Sequence, residues 1–198
     1  MEELFFESNN LSAIEQKVWS LLSEGVKSYK NPFHFGTVAN IQAGIPELRT
    51  VILRKVLGEE KKLFFHTDIR STKVDFIQKN PAMSWLFYDE NSRLQLRMLA
   101  SATVHFKNEV ADQGWAASAL SSKLTYSISN APGTKLEAPV AVNINEKNPP
   151  PELIDFASSH FSVIETQISK LDVVFLHHRG NRRVIVDYAS KELYWAQA

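Results

Sequence analysis

Between residues 33 and 106 the chain carries five apolar runs of strand character, joined mostly by stretches too short for anything but hairpins. The runs are 33–41, 48–56, 63–67, 83–88 and 93–106. A turn through Gln42-Ala43-Gly44-Ile45-Pro46 follows the first, Gly58-Glu59-Glu60-Lys61 closes the second, and Asp89-Glu90-Asn91-Ser92 joins the last two. Parallel strands need crossovers of a dozen or more residues. The spacing therefore predicts an antiparallel sheet or barrel. One connection has room for a short helix, about 72–79, ahead of Pro81.

The flanks supply helices and further strands. Residues 11–29 are predicted to be a helix, with Ile14, Val18, Leu21, Leu22, Val26 and Tyr29 on one stripe and Ser12-Ala13-Ile14-Glu15 as a capping box. Asn31-Pro32 ends it. Residues 108–120 and 152–160 are expected to be helical, and 162–168, 172–178 and 183–188 to be strands, with Arg179-Gly180-Asn181-Arg182 as a turn. The stretch 127–151, which holds Pro132-Gly133, Pro139 and Pro149-Pro150-Pro151, reads as a long loop of the kind that is often functional. No repeat or internal boundary interrupts the chain, and a single domain over residues 1–198 is expected.

Composition narrows the function. Apolar residues are 44% and charged residues 22% of the 198, as in a globular protein. The 22 Lys+Arg balance 22 Asp+Glu, which argues against a general nucleic-acid binder and leaves room for a local basic pocket. The absence of cysteine excludes disulfides, thiolate metal sites and Cys nucleophiles. Met1-Glu2-Glu3-Leu4-Phe5-Phe6 lacks the basic region and apolar core of a signal peptide, and no apolar run has the length of a membrane span. A soluble cytoplasmic protein is expected.

Three segments carry chemistry. In Arg49-Thr50-Val51-Ile52-Leu53-Arg54 two guanidiniums bracket an apolar strand. Alternation places them on opposite faces, so a twist or bulge is needed before both meet one ligand; exposed charge at strand ends is the plainer alternative. In His66-Thr67-Asp68-Ile69-Arg70-Ser71-Thr72-Lys73 a strand gives way to a helix whose free N–H groups suit phosphate, with hydroxyls at Thr67, Ser71 and Thr72 and charge at Arg70 and Lys73. Ordinary N-capping by Ser71 is compatible with the same residues. In Arg93-Leu94-Gln95-Leu96-Arg97-Met98 one face is apolar and the other carries Gln95 and Arg97. A glutamine amide can both donate to and accept from a flavin edge, or face solvent.

In this order and at these distances the segments resemble the pyridoxamine 5′-phosphate oxidase family and its FMN-binding split-barrel relatives. The matching stretches are Arg49 to Arg54, His66-Thr67, Ser71-Thr72-Lys73, Asn80-Pro81 and Gln95, within a resemblance running over about 33–106. It implies a mainly β (α+β) fold: a split antiparallel β-barrel with flanking helices, forming a homodimer with FMN at the subunit interface. On that resemblance Arg49, Ser71 and Lys73 hold the FMN phosphate, and Thr67 lies near the flavin or ribityl chain. Val51, Ile52 and Leu53 run beside the ring, and Gln95 reaches the isoalloxazine edge from the partner subunit. Arg54 replaces a lysine near the pyrimidine ring and substrate. His66 stands where the family usually has Tyr, and Thr72 where the oxidase has Arg.

The oxidase's substrate stretch is matched by Ser121-Ser122-Lys123-Leu124-Thr125-Tyr126-Ser127, which has no arginine. Lys123, Tyr126 and Arg183 are the substrate-side candidates the resemblance leaves. An efficient pyridoxamine-phosphate oxidase is not expected, because lysine lacks the bidentate fork of arginine. Metal binding is not expected: His177 and His178, adjacent on a strand, would point to opposite faces. Their cluster with Arg179, Arg182 and Arg183 could instead meet an anion or form a charged hairpin tip, while His34, His105 and His160 read as structural. The implied activity is flavin-dependent oxidoreduction of a small molecule, with no particular catalytic residue indicated. A non-catalytic flavin-binding or haem-binding protein on the same barrel is the alternative. A serine hydrolase is disfavoured by the absence of a Gly-x-Ser-x-Gly elbow.

Overall fold

The computed structural model describes Phe5, residues 8–140 and residues 143–198. The rest of the N-terminal stretch 1–6, and residues 141–142 of the long loop, lie outside these. Among the described residues every ladder is antiparallel, and nine strands form one sheet in the order β2-β1-β5-β6-β7-β4-β3, with β8 on β7 and β9 on β8.

β1 (Phe35–Gln42) and β2 (Ile45–Ile52) form a hairpin around Ala43-Gly44. Both turn residues have positive φ, 49° and 84°. That is the tight turn whose twist matches paired strands. The first strand starts later than its apolar run because Pro32–His34 form a 3-10 turn, in which the Asn31 side chain accepts from the Phe33 N–H at 2.9 Å and Phe33 is buried.

The run 48–56 is not one strand. β2 ends at Ile52, and β3 (Lys55–Leu57) pairs with β4 (Lys62–Asp68) at the other end of the sheet. At the break Leu53 N donates to His34 O and Arg54 N to Phe64 O, each at 2.9 Å. One stretch of chain thus passes from one sheet end to the other. The sheet is not closed by a continuous ladder, and this crossing strand is what makes the barrel split.

β5 (Ala82–Asp89) and β6 (Leu94–His105) follow, with α2 (Thr72–Lys79) before them as expected. The two strands expected over 162–178 are one, β7 (Phe161–Phe175). Polar Ser169 and Lys170 do not end it: the register shifts there against Leu99/Ala100, and Ser169 Oγ donates to Leu99 O at 3.2 Å. One edge of β7 pairs with β6 throughout; the other pairs first with β4 and then with β8 (Arg182–Asp187). β9 (Glu192–Ala196) was not anticipated; the alternation of Leu193, Tyr194 and Trp195 after a polar turn is the signal it left.

The barrel interior is aromatic. Trp85 and Phe87 stack with centroids 5.4 Å apart, and Phe65 meets Trp85 edge-on at 5.6 Å. Trp85 Nε1 donates to Thr166 Oγ1 at 3.1 Å, and that hydroxyl donates to Leu63 O at 2.8 Å, so these two buried side chains are paired. Gly36 is required beneath these rings, since a Cβ there would lie 2.7 Å from both.

α1 (Leu11–Lys27) caps one end of the barrel with Ile14, Val18 and Leu22 buried. Its N-cap is Asn10, accepting from Ala13 N at 3.0 Å, rather than the expected capping box. Tyr29 lies beyond its end and is exposed; Trp19 and Leu21 complete the buried face, and Trp19 Nε1 donates to Tyr188 OH at 2.9 Å. The helix expected over 108–120 breaks at Ser118-Ala119 into α3 (Glu109–Ala117) and α4 (Leu120–Leu124). α5 (Pro151–Ser158) follows a stretch without helix or strand among its described residues. Among the described residues no helix is long and apolar enough to cross a membrane.

Register places Phe35, Ile41, Leu48, Leu86, Tyr88 and Leu99 together on the outer face of β2-β1-β5-β6, and all six are exposed. Gln95 and Arg97 share that face.

Candidate functional site

The break at Leu53-Arg54 has a functional consequence. There the chain leaves the β1 ladder for β4, and Arg49 before the break and Arg54 after it both line one cavity of about 460 Å³ together with Thr50, Val51 and Ile52. The sequence alone demanded such a distortion before the two guanidiniums could share a ligand. His66 and Thr67 at the end of β4 and Lys73 in the first turn of α2 form the adjoining wall. Ser121, Ser122, Thr125 and Tyr126 close it from α4 and the residues after it, and Ile144 reaches it from the long loop.

One corner is a cation–hydroxyl cradle. Lys73 Nζ donates to Thr67 Oγ1 at 3.1 Å and to Ser71 Oγ at 2.5 Å. Ser71 is the N-cap residue of α2, yet its buried hydroxyl makes no capping bond and serves Lys73 instead. The ordinary reading of Ser71 as a helix cap is thereby set aside. Burial, and then the nearby Arg49 charge, hold the Lys73 pKa below its usual value. Burial likewise lowers that of Arg49, whose guanidinium donates to the buried Asn40 carbonyl. Two like charges in one partly desolvated corner are unfavourable until an anion joins them.

The far end is different. Burial, and then Arg54, push the His66 pKa down to about 4, so the ring is neutral at pH 7. It packs edge-on to Phe161 at 4.7 Å. Burial pushes the Tyr126 phenol up to about 12, leaving it a hydrogen-bond donor. Arg54 Nε is buried without a hydrogen-bond partner. The cavity wall contains no carboxylate among the described residues.

Other sequence candidates fall elsewhere. Leu53 is fully buried and faces the core side of the break. Thr72 is exposed at the start of α2. Arg70 turns away, bonded to both Asp68 carboxylate oxygens at 3.0 and 2.7 Å and to the Ile128 and Ser129 carbonyls. Gln95 lies on the outer sheet face, opposite Tyr88 and Val174. Lys123 places its ammonium 5.2 Å over the Trp115 ring, outside the cavity. Arg183 is paired with Asp172 at 2.9 and 3.0 Å, and Arg97 binds the same carboxylate.

His177 and His178 lie beyond the end of β7, with rings 4.1 Å apart rather than on opposite strand faces. His34 binds Gly25 O at 2.7 Å and His160 the Tyr126 carbonyl at 3.3 Å, both structural contacts. Sequence reasoning missed Asn40, Thr50, Ser121, Ser122, Thr125 and Ile144. The dense hydroxyls of 121–127 were the available signal for the serines and Thr125; nothing local marks Ile144.

Residues 13–106 match the family model described as pyridoxamine 5′-phosphate oxidase, FMN-binding domain. Among solved structures, a pyridoxamine 5′-phosphate oxidase-related, FMN-binding protein from Nostoc punctiforme superposes with a TM-score of 0.70 at 20% identity, covering 92% of this chain and 96% of its own. PhzG from Burkholderia lata, solved with tetrahydrophenazine-1-carboxylic acid, gives 0.67 at 11% identity over 100% and 96%. A Clostridium acetobutylicum protein related to general stress protein 26 gives 0.57 at 15% identity over 89% and 99%. At these identities the structural likeness is one of fold. No curated protein matches the sequence.

Proposed function

From the match of residues 13–106 to the FMN-binding domain of pyridoxamine 5′-phosphate oxidase, we propose that the chain belongs to that family and is a cytoplasmic, homodimeric, FMN-dependent oxidoreductase built as a single domain over residues 1–198. The observation that carries the reading is the corner where Arg49 and Lys73 meet beside the hydroxyls of Thr67 and Ser71. Two cations, two hydroxyls and a helix start make a phosphate cradle, and a dianion relieves the repulsion that depresses Lys73. The residues therefore fit FMN.

With the phosphate there, Val51 and Ile52 would lie along the ring, and Arg54, His66 and Tyr126 would face its far end. Arg54 would supply positive charge beside a bound flavin, and His66, neutral at pH 7, would leave Arg54 the cation at that end. The flavin, when bound, supplies two-electron transfer; the chain supplies orientation and electrostatics. Gln95, outside the cavity of its own chain, is on the exposed apolar face that a second copy would cover. From there it would reach the partner's flavin. Among the described residues the cavity is lined by no arginine besides Arg49 and Arg54, and Lys123 is turned onto Trp115. Both support a substrate other than a vitamin-B6 phosphate.

The test is anaerobic. FMN-loaded protein is mixed with a panel of hydride donors, and bleaching of the flavin band is compared with that of free FMN. Acceleration by one donor class supports an oxidoreductase. Bleaching no faster than free FMN throughout would leave a flavin-binding module without catalysis.

A further inference from the structure

A second cavity, of about 580 Å³, lies on the other side of Arg54 and His66, which form the wall it shares with the first. Its size falls in the range of roughly 300–1,000 Å³ typical of small-molecule sites. Leu53, Phe64, Val110 and Val163 give it an apolar body. Its polar lining is Arg54, Lys55, Gln113, Ser118 and the imidazoles of His34 and His66, with no carboxylate among the described lining. The Ser118 hydroxyl already donates to Gly114 O at 2.8 Å, and the Lys55 ammonium lies 5.2 Å over the Phe64 ring. The Arg54 guanidinium, with its buried Nε lacking a partner, is left as the principal charge facing a ligand.

The two cavities differ at their helix ends. The first meets the start of α2; the second is lined by Ala117, Ser118 and Ala119, where α3 finishes. A helix start carries partial positive charge and a helix finish partial negative charge. A phosphate dianion suits the first and is opposed by the helix finish in the second, where the Lys55 ammonium is turned onto Phe64 and Arg54 is the cation left to face a ligand. We propose that the second cavity is the substrate chamber, and that its substrate is an apolar small molecule carrying one carboxylate, held by Arg54 at the wall nearest the flavin. This rests on the FMN reading above and names the substrate class for it.

The probes are 2-naphthoate, 2-naphthamide and 2-naphthyl phosphate, titrated calorimetrically into the full-length FMN-loaded protein. The carboxylate is expected to bind roughly tenfold or more tightly than the amide, the difference a charge-assisted bond makes, and no less tightly than the phosphate ester. Ala117→Phe, at the exposed rim of the second cavity, is expected to abolish naphthoate binding while FMN affinity, read by flavin fluorescence, stays unchanged. Equal affinity for naphthoate and naphthamide, a clear preference for the phosphate ester, or undiminished naphthoate binding in Ala117→Phe would each overturn the proposal. FMN affinity is measured separately, so failure of the cofactor reading shows as absent flavin binding, whatever the naphthalene probes do.

Discussion

Replacing Lys73 by methionine removes the ammonium and keeps an unbranched stem. In the free protein that ammonium holds two hydroxyls, at 3.1 and 2.5 Å, and sits beside the like charge of Arg49, which together with burial depresses its pKa. Thr67 and Ser71 can turn their hydroxyls to other partners, and the like-charge contact disappears. The FMN-free protein should therefore melt no lower than wild type. Its cofactor binding should suffer. A hydrogen bond between a cation and a phosphate oxygen is worth about 1.5–3 kcal/mol, which is roughly a ten- to 150-fold rise in Kd. Riboflavin, which has the ring and ribityl chain without the phosphate, supplies the control. Titration by flavin fluorescence should show the loss for FMN and none for riboflavin. Equal losses for the two flavins, or an unchanged FMN affinity, would refute the phosphate cradle.

Further outcomes follow from other parts of the structure. His66 is held at about 4 against an ordinary 6.5; between those values the unfolded chain binds a proton that the folded chain does not. Stability should fall by up to roughly 3 kcal/mol as pH drops from about 6.5 toward 4, with His66→Phe flattening that slope in denaturant melts; a His66 ring signal titrating above pH 6 would contradict it. Gly36→Ala forces a Cβ to 2.7 Å from Trp85 and Phe87, and about 1–3 kcal/mol of stability should be lost to overpacking; a neutral result in urea unfolding would mean the rings shift freely. Leu99→Asp puts a charge on the exposed apolar face, so light scattering should find a monomer with weakened FMN binding; a persistent dimer would place the subunit contact elsewhere.

The antiparallel architecture was legible because short connections leave few topologies, and Thr72–Lys79 was placed correctly because its boundary residues act locally. The cradle was legible for the same reason: Thr67, Ser71 and Lys73 are neighbours in sequence. What escaped was non-local. Nothing in residues 48–56 announces that Leu53 bonds to His34 and Arg54 to Phe64, so the partner switch that brings Arg49 and Arg54 together had to be seen. Ser169 reads as a strand end, yet flanking pairings with β4 and β8 carry the strand through it. Thr50, Ser121 and Ile144 join the wall only because tertiary packing brings three distant segments to one edge. Gln95 was readable as a polar residue on an apolar strand, and its outward face is now fixed, apart from the lining of its own chain's cavity.

Two copies of this chain are proposed to hold FMN between them. Native mass spectrometry of the full-length protein after incubation with FMN and removal of the excess tests it in one spectrum. The expected species is a dimer carrying two FMN molecules. A monomer that keeps FMN would contradict the shared site, and a dimer that emerges without flavin would contradict the cofactor.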